Sequence, residues 1–156
     1  MHRPAGFTIL EIIVVLLLMS IVAATVLGRS ITSSTLDLNS ATDKVRNQLR
    51  YAQAEAMKRS DAVWGISYAS GDYWLFRSTP SDRVKLPGGD SDHVRLTNGI
   101  VLSGLSNVYF DRIGKPYTAY TSPSTNTALA AQMTITLSAG GDNRTITVTP
   151  ETGLIR

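Results

Sequence analysis

The chain contains no cysteine. That excludes disulfide cross-links, thiol nucleophiles and thiolate-held zinc or iron–sulfur centres. It says little about compartment, because a domain with an adequate core needs no disulfide even in oxidising surroundings. Histidine is nearly as scarce, with only His2 and His93. His93 has no nucleophile motif beside it. It closes Asp90-Ser91-Asp92-His93, which has the D-x-D spacing of calcium loops but lacks the rest of an EF-hand loop, so it reads as a polar turn. Charge of either sign is thin. Fifteen Lys and Arg against twelve Asp and Glu leave a net charge of +3, short of the dense basic patch of duplex DNA binders. The small basic groups Lys44/Arg46/Arg50 and Lys58/Arg59 fall on an expected exposed helix face. No catalytic residue, metal site or cofactor is expected, and the chain does not read as an enzyme.

One region lacks almost everything polar. From Phe7 to Leu27 there are 21 residues without Pro or Gly, and Glu11 is the only charge. A helix of that length, at about 1.5 Å per residue, spans the roughly 30 Å hydrocarbon core of a bilayer. From about Ser30 onward the composition is that of a soluble domain. The mean hydropathy near zero therefore averages two unlike parts. Two plain readings of the run are a cleaved secretory signal, with Val22-Ala23-Ala24 as the cut site, and a simple membrane anchor. Neither accounts for Glu11, since a carboxylate costs up to about 3 kcal/mol at the centre of a bilayer and suggests a function by default. Arg3 and Arg29 flank the run and leave the positive-inside bias nearly balanced.

Gly6-Phe7-Thr8-Ile9-Leu10-Glu11, at the border of a short charged leader and an unbroken apolar run, resembles the processing motif of type IV prepilins and type II secretion pseudopilins. The resemblance implies that a prepilin peptidase/methyltransferase cuts between Gly6 and Phe7 and methylates the new Phe7 amine. Glycine before the bond leaves the backbone unobstructed for the enzyme. In such filaments the buried carboxylate, here Glu11, is paired with the terminal amine of a neighbouring subunit and sets axial register. A buried charge needs such a partner.

Gly28-Arg29-Ser30-Ile31-Thr32-Ser33-Ser34-Thr35 is poor helix-forming sequence, and the helix is expected to bend or loosen there. Beyond it, Leu38, Ala41, Val45, Leu49, Ala52 and Ala56 recur at spacings of three and four, an amphipathic stripe. Ser40 or Thr42 could cap a fresh start. The helix should end near Arg59-Ser60. The period then becomes two. Ala62–Tyr68 and Tyr73–Arg77 flank a turn at Ala69–Asp72, and their aromatic residues Trp64, Tyr68, Tyr73, Trp74 and Phe76 read as packing. Residues 77–93 read as a long loop, Ile100–Leu102 and Val108–Phe110 as short strands, and Ser122–Thr127 as another loop. Met133–Ser138 and Arg144–Thr149 form a hairpin around Gly140-Gly141-Asp142-Asn143, and Gly153–Arg156 a short terminal strand.

Three segments bear a further resemblance to the minor pseudopilin H (GspH) and FimT-type minor pilins. They are Asn47–Arg59 leading into a hairpin, Phe110-Asp-Arg-Ile-Gly-Lys-Pro116, and Ile146–Arg156. The expected fold class is thus α+β: a long N-terminal membrane and assembly helix before a β-rich, sandwich-like head of antiparallel sheets. The expected organisation is leader 1–6, membrane and filament-core helix 7–29, amphipathic continuation 30–60 and periplasmic head 61–156. The resemblance implies an inner-membrane, single-pass subunit of a secretion pseudopilus or type IV pilus, with other pilins or pseudopilins as partners. A different reading is a FimT-like minor pilin that binds DNA for uptake. Arg144 and Arg156 are the basic residues available near the C-terminus for that role.

Overall fold

The computed structural model describes residues 8–59 and 61–156, with the side chains of residues 25–34 left undescribed. One helix, α1 (Ile9–Lys58), occupies 50 residues, a rod of about 75 Å at 1.5 Å per residue. Thr8 caps it in an extended conformation (φ −82°, ψ 149°), its hydroxyl accepting from the Glu11 amide at 3.3 Å. The expected loosening at 28–35 and the fresh start at Ser40 or Thr42 do not occur, because α1 runs through both without a break. Extending an existing helix avoids the cost of a new nucleus, and this outweighs about 1 kcal/mol for one internal glycine. Thr42 is an interior helical residue whose hydroxyl donates to the Leu38 carbonyl at 2.7 Å.

Among the described residues ten strands follow, all paired antiparallel. They are β1 (Trp64–Ala69), β2 (Asp72–Arg77), β3 (Arg83–Val84), β4 (Val94–Arg95), β5 (Val101–Ser103), β6 (Asn107–Phe110), β7 (Pro116–Ser122), β8 (Thr125–Ala128), β9 (Met133–Ala139) and β10 (Asp142–Val148). A seven-stranded sheet has the order β3-β2-β1-β6-β7-β8, with β4 also pairing β2, and a three-stranded sheet has the order β10-β9-β5. The C-terminal half of α1 contacts β1 and β6 of the large sheet and β9 and β10 of the small one.

The main core lies where these three pieces meet. Leu38, Val45, Leu49, Ala52 and Ala56 enter it from the helix, Trp64, Ile66, Tyr73, Leu75, Val108 and Phe110 from the large sheet, and Ile135, Leu137, Ile146 and Val148 from the small one. Burying a Leu, Val or Ile side chain contributes roughly 1.5–3 kcal/mol. Successive strand residues face opposite ways, so Trp74, Phe76 and Tyr109 form a second apolar cluster with Val63 on the outer face of the large sheet. Phe76 and Tyr109 meet edge-to-face, with centroids 4.9 Å apart. The segment after β2 folds back to cover this face: Pro80 accepts from the Trp74 indole at 2.8 Å, and the Arg83 guanidinium sits 4.2 Å over its ring.

Three local expectations need correction. The loop expected at 77–93 contains the short strand β3. The loop expected at Ser122–Thr127 is the tip and return of the β7–β8 hairpin, whose residues are mostly exposed and so carry no apolar period-two signal. The terminal strand expected at Gly153–Arg156 reduces to a bridge between Val148 and Ile155, with Thr147 and Arg156 exchanging backbone hydrogen bonds at 3.0 Å.

Candidate functional site

Two regions carry the residues of interest. The first is the start of α1. Gly6 and Phe7 lie outside the described residues. Glu11 stands in the first helical turn, exposed, with its amide held by Thr8. Around it residues 8–24 are exposed on every side, including Ile9 at 80% and Leu16 at 62%. An apolar helix uncovered all round is not a stable surface in water, and its cover must come from lipid or from other chains. Among the described residues no stretch is long and apolar enough to cross a membrane. The 7–27 run extends at both ends past the side chains described.

The second region is the far end of the head, where the last turns of α1 meet both sheets. The Gln53 side-chain amide donates toward three carbonyls: Gly114 at 3.0 Å, Gly153 at 3.1 Å and Thr152 at 3.2 Å. One turn earlier, Arg50 Nη2 donates to the Ile155 carbonyl at 2.9 Å. Lys115 Nζ reaches Glu151 at 2.6 Å, joining the β6–β7 turn to the C-terminal turn. Asp111 organises the first of these turns, its Oδ1 accepting the amides of Ile113 and Lys115 at 2.9 Å. The two glycines are required by close approach. Both have positive φ, +80° at Gly114 and +61° at Gly153, and a Cβ at Gly153 would run into the Gly114 carbonyl and the Gln53 amide. The segments Asn47–Arg59, Phe110–Pro116 and Ile146–Arg156 therefore converge on one joint.

Nearby, Glu55 is buried and pairs with Arg59 Nε at 2.7 Å, an ion contact outside hydrogen-bond alignment. A cleft of about 660 Å³ opens beside the joint, lined by Asp61, Val63, Ser78, Arg112, Tyr117 and Tyr120 among others. The Tyr117 hydroxyl donates to Asp111 Oδ2 at 3.0 Å. Burial, reinforced by that carboxylate, pushes the phenol up to about 12. It stays protonated at neutral pH, and its partner carboxylate is already occupied, so this pair is not poised for proton transfer.

The other candidates are placed as follows. Arg144, on β10, is half-buried on the helix side, its Nε donating to Asn39 Oδ1 at 2.8 Å and its Nη1 to the Asn143 carbonyl. Arg156 pairs with Thr147, an odd position of β10, and so belongs to the opposite face of the small sheet. The fold does not bring these two arginines together. Asp92 is engaged by its neighbour in the chain. Its Oδ1 lies 2.8 Å from His93 Nδ1, which holds the carboxyl below the usual range, and Asp90 is 3.9 Å from Lys85 Nζ. Among the described residues no group of three metal-ligating side chains occurs. Gln53 was missed because a polar residue on a helix carries no signal of what it meets.

Comparison with known proteins gives four findings. Residues 41–153 match the family described as type II transport protein GspH. Residues 1–27 match the prokaryotic N-terminal methylation motif. No curated protein matches the chain. Among solved structures, the type IV minor pilin FimU of Pseudomonas aeruginosa (strain PAO1) is similar in two crystal forms. In the first, TM-score is 0.53 and identity 16%, over 76% of this chain and 86% of that one. In the second they are 0.52 and 15%, over 76% and 90%. At such identity the likeness is one of fold.

Proposed function

The chain belongs to the type II transport protein GspH family, and from that membership we infer that it is a minor subunit cut after Gly6, methylated on Phe7 and assembled through α1 into a type II secretion pseudopilus or type IV pilus. The observation that carries this reading is the match to the methylation motif over residues 1–27, within which the apolar helical side chains of residues 9–24 are all exposed. The motif supports processing by a prepilin peptidase/methyltransferase, and the uncovered helix supports anchoring in the inner membrane before assembly. The head then projects into the periplasm.

Glu11 is the assembly residue in this scheme. Once the leader is removed, Glu11 stands four residues along the chain from the new Phe7 amine. Packed among apolar helices of other subunits it needs a cationic partner, and the methylated amine of a neighbour supplies one. The test is a pair of substitutions in cells that express the assembly machinery. Gly6→Val should leave full-length precursor, seen by intact mass. Glu11→Ala should be cut and methylated normally yet be depleted from sheared filaments, with a folded head. Normal incorporation of the Glu11 variant would remove its register role. In parallel, titration of the full chain in detergent with duplex DNA at two salt concentrations addresses the DNA-uptake alternative. Salt-sensitive binding lost on Arg144→Ala or Arg156→Ala would redirect the reading to uptake.

A further inference from the structure

We propose that Gln53 is the latch that fixes the far end of the head on the helix, one side-chain amide serving carbonyls from the turns of both sheets. The amide has two N–H donors, and three carbonyl oxygens stand within 3.0–3.2 Å of its nitrogen. All three neighbours are acceptors, so the nitrogen, not the oxygen, must face them. Gly114 belongs to the turn between β6 and β7 of the large sheet. Thr152 and Gly153 belong to the turn that follows β10 of the small one. The two turns touch each other at this point, since a Cβ on Gly153 would collide with the Gly114 carbonyl. A single helix side chain thus contacts turns of both the large and the small sheet.

Other hydrogen bonds between helix and head are distributed differently. At the near end Thr35 donates to Asp142, Asn98 to Asp37 and Arg144 to Asn39, three separate pairs of which two engage β10 and one the loop before β5. At the far end Arg50 holds only the Ile155 carbonyl. Loss of any of these removes a contact to one segment, whereas loss of the Gln53 donor removes contacts to two turns at once. The exposed side chains that border the joint, Met57, Ile113 and Leu154, then lose their fixed relation to one another. Gln53 is accordingly a positioning residue. Through the two turns it decides how this end of the subunit is presented to whatever it meets.

A donor latch and ordinary packing make opposite predictions for two substitutions of similar length. Gln53→Met keeps the volume and removes the donor. Gln53→Lys restores a donor, now with three protons and a positive charge facing carbonyl oxygens. The readout is amide hydrogen exchange of the full chain in detergent micelles. It follows the Gly114 amide, bonded to the Asp111 carbonyl at 2.9 Å, and the Gly153 amide, bonded to the Thr149 carbonyl at 3.0 Å. Opening that costs one lost hydrogen bond should speed exchange about tenfold. The expected result is that Gln53→Met speeds both amides together by about that factor and leaves the β9–β10 ladder unchanged, while Gln53→Lys keeps both near the parent rate. Slow exchange at both turns in the Met variant would overturn the latch, as would loosening of one turn alone or failure of Lys to rescue. A second arm, which rests on the filament reading, measures incorporation: the Lys variant should enter filaments and the Met variant should be depleted severalfold. If the parent chain enters no filament, that reading fails while the exchange test still decides the latch.

Discussion

Two stretches of one continuous helix, residues 9–24 and 38–56, meet their surroundings in opposite ways. In the first every residue is exposed, and most are large and apolar. In the second the apolar residues form a single stripe, with Leu38, Leu49, Ala52 and Ala56 fully buried against the head and Asp43, Lys44, Asn47 and Arg50 facing out. The backbone is the same, so the difference lies in what each half has for a partner. The second half finds its cover inside the same chain, in the two sheets. The first half has no cover among the described residues, and lipid or other chains would satisfy its apolar surface. Folding of the head and assembly of the rod are therefore energetically separate. A substitution in the uncovered half should leave the stability of the head unchanged.

The strongest way to break that separation is a cavity in the buried half. Leu49→Ala should lower the stability of the head by about 2–5 kcal/mol, read by chemical unfolding of the full chain in detergent. An equal loss from Leu16→Ala would show that the two halves fold as one unit. The expected change there is within about 0.5 kcal/mol, as for an uncovered site.

The next effect is alkaline. Tyr73 is 1% exposed, and burial pushes its phenol up to about 12. Its folded pKa is raised above the unfolded value, so the stabilisation is complete below about pH 10. It is lost as pH rises toward 12, where the unfolded chain ionises first. A shift of that size is on the order of 2 kcal/mol. Tyr73→Phe should flatten the alkaline loss of head stability between about pH 10 and 12, seen in unfolding midpoints. An unchanged alkaline slope would assign the loss to other groups. The smallest effect belongs to the exposed Asp43–Arg46 pair. Asp43→Ala should cost less than about 1 kcal/mol, and that cost should shrink in high salt.

Much of this architecture is legible in the residues. The stripe Leu38-Ala41-Val45-Leu49-Ala52-Ala56 names the buried helix face because a helix repeats every 3.6 residues. The hairpins around Ser70-Gly71 and Gly140-Gly141 announce themselves by turn residues between alternating runs. The β7–β8 hairpin was not legible. Its strands are largely exposed, with Thr, Ser, Asn and Ala along them, and a strand without a buried face has no period to read. The break expected after Gly28 shows the reverse error, local propensity taken for more than it weighs against a helix already formed.

By itself the sequence determined what neighbouring residues can decide. That comprises the Gly6-Phe7 border with Glu11, the uncovered apolar run, the amphipathic stripe and the strand-rich composition after residue 61. Only the tertiary structure decided which distant groups meet. Gln53 reaches Gly114, 61 residues on, and Gly153, 100 residues on. Arg144 and Arg156, close in the chain, are turned to opposite faces of one sheet. Periodicity reports the environment of a residue through its neighbours. A hydrogen bond between remote segments depends on the path of the whole chain between them, and no local pattern contains it.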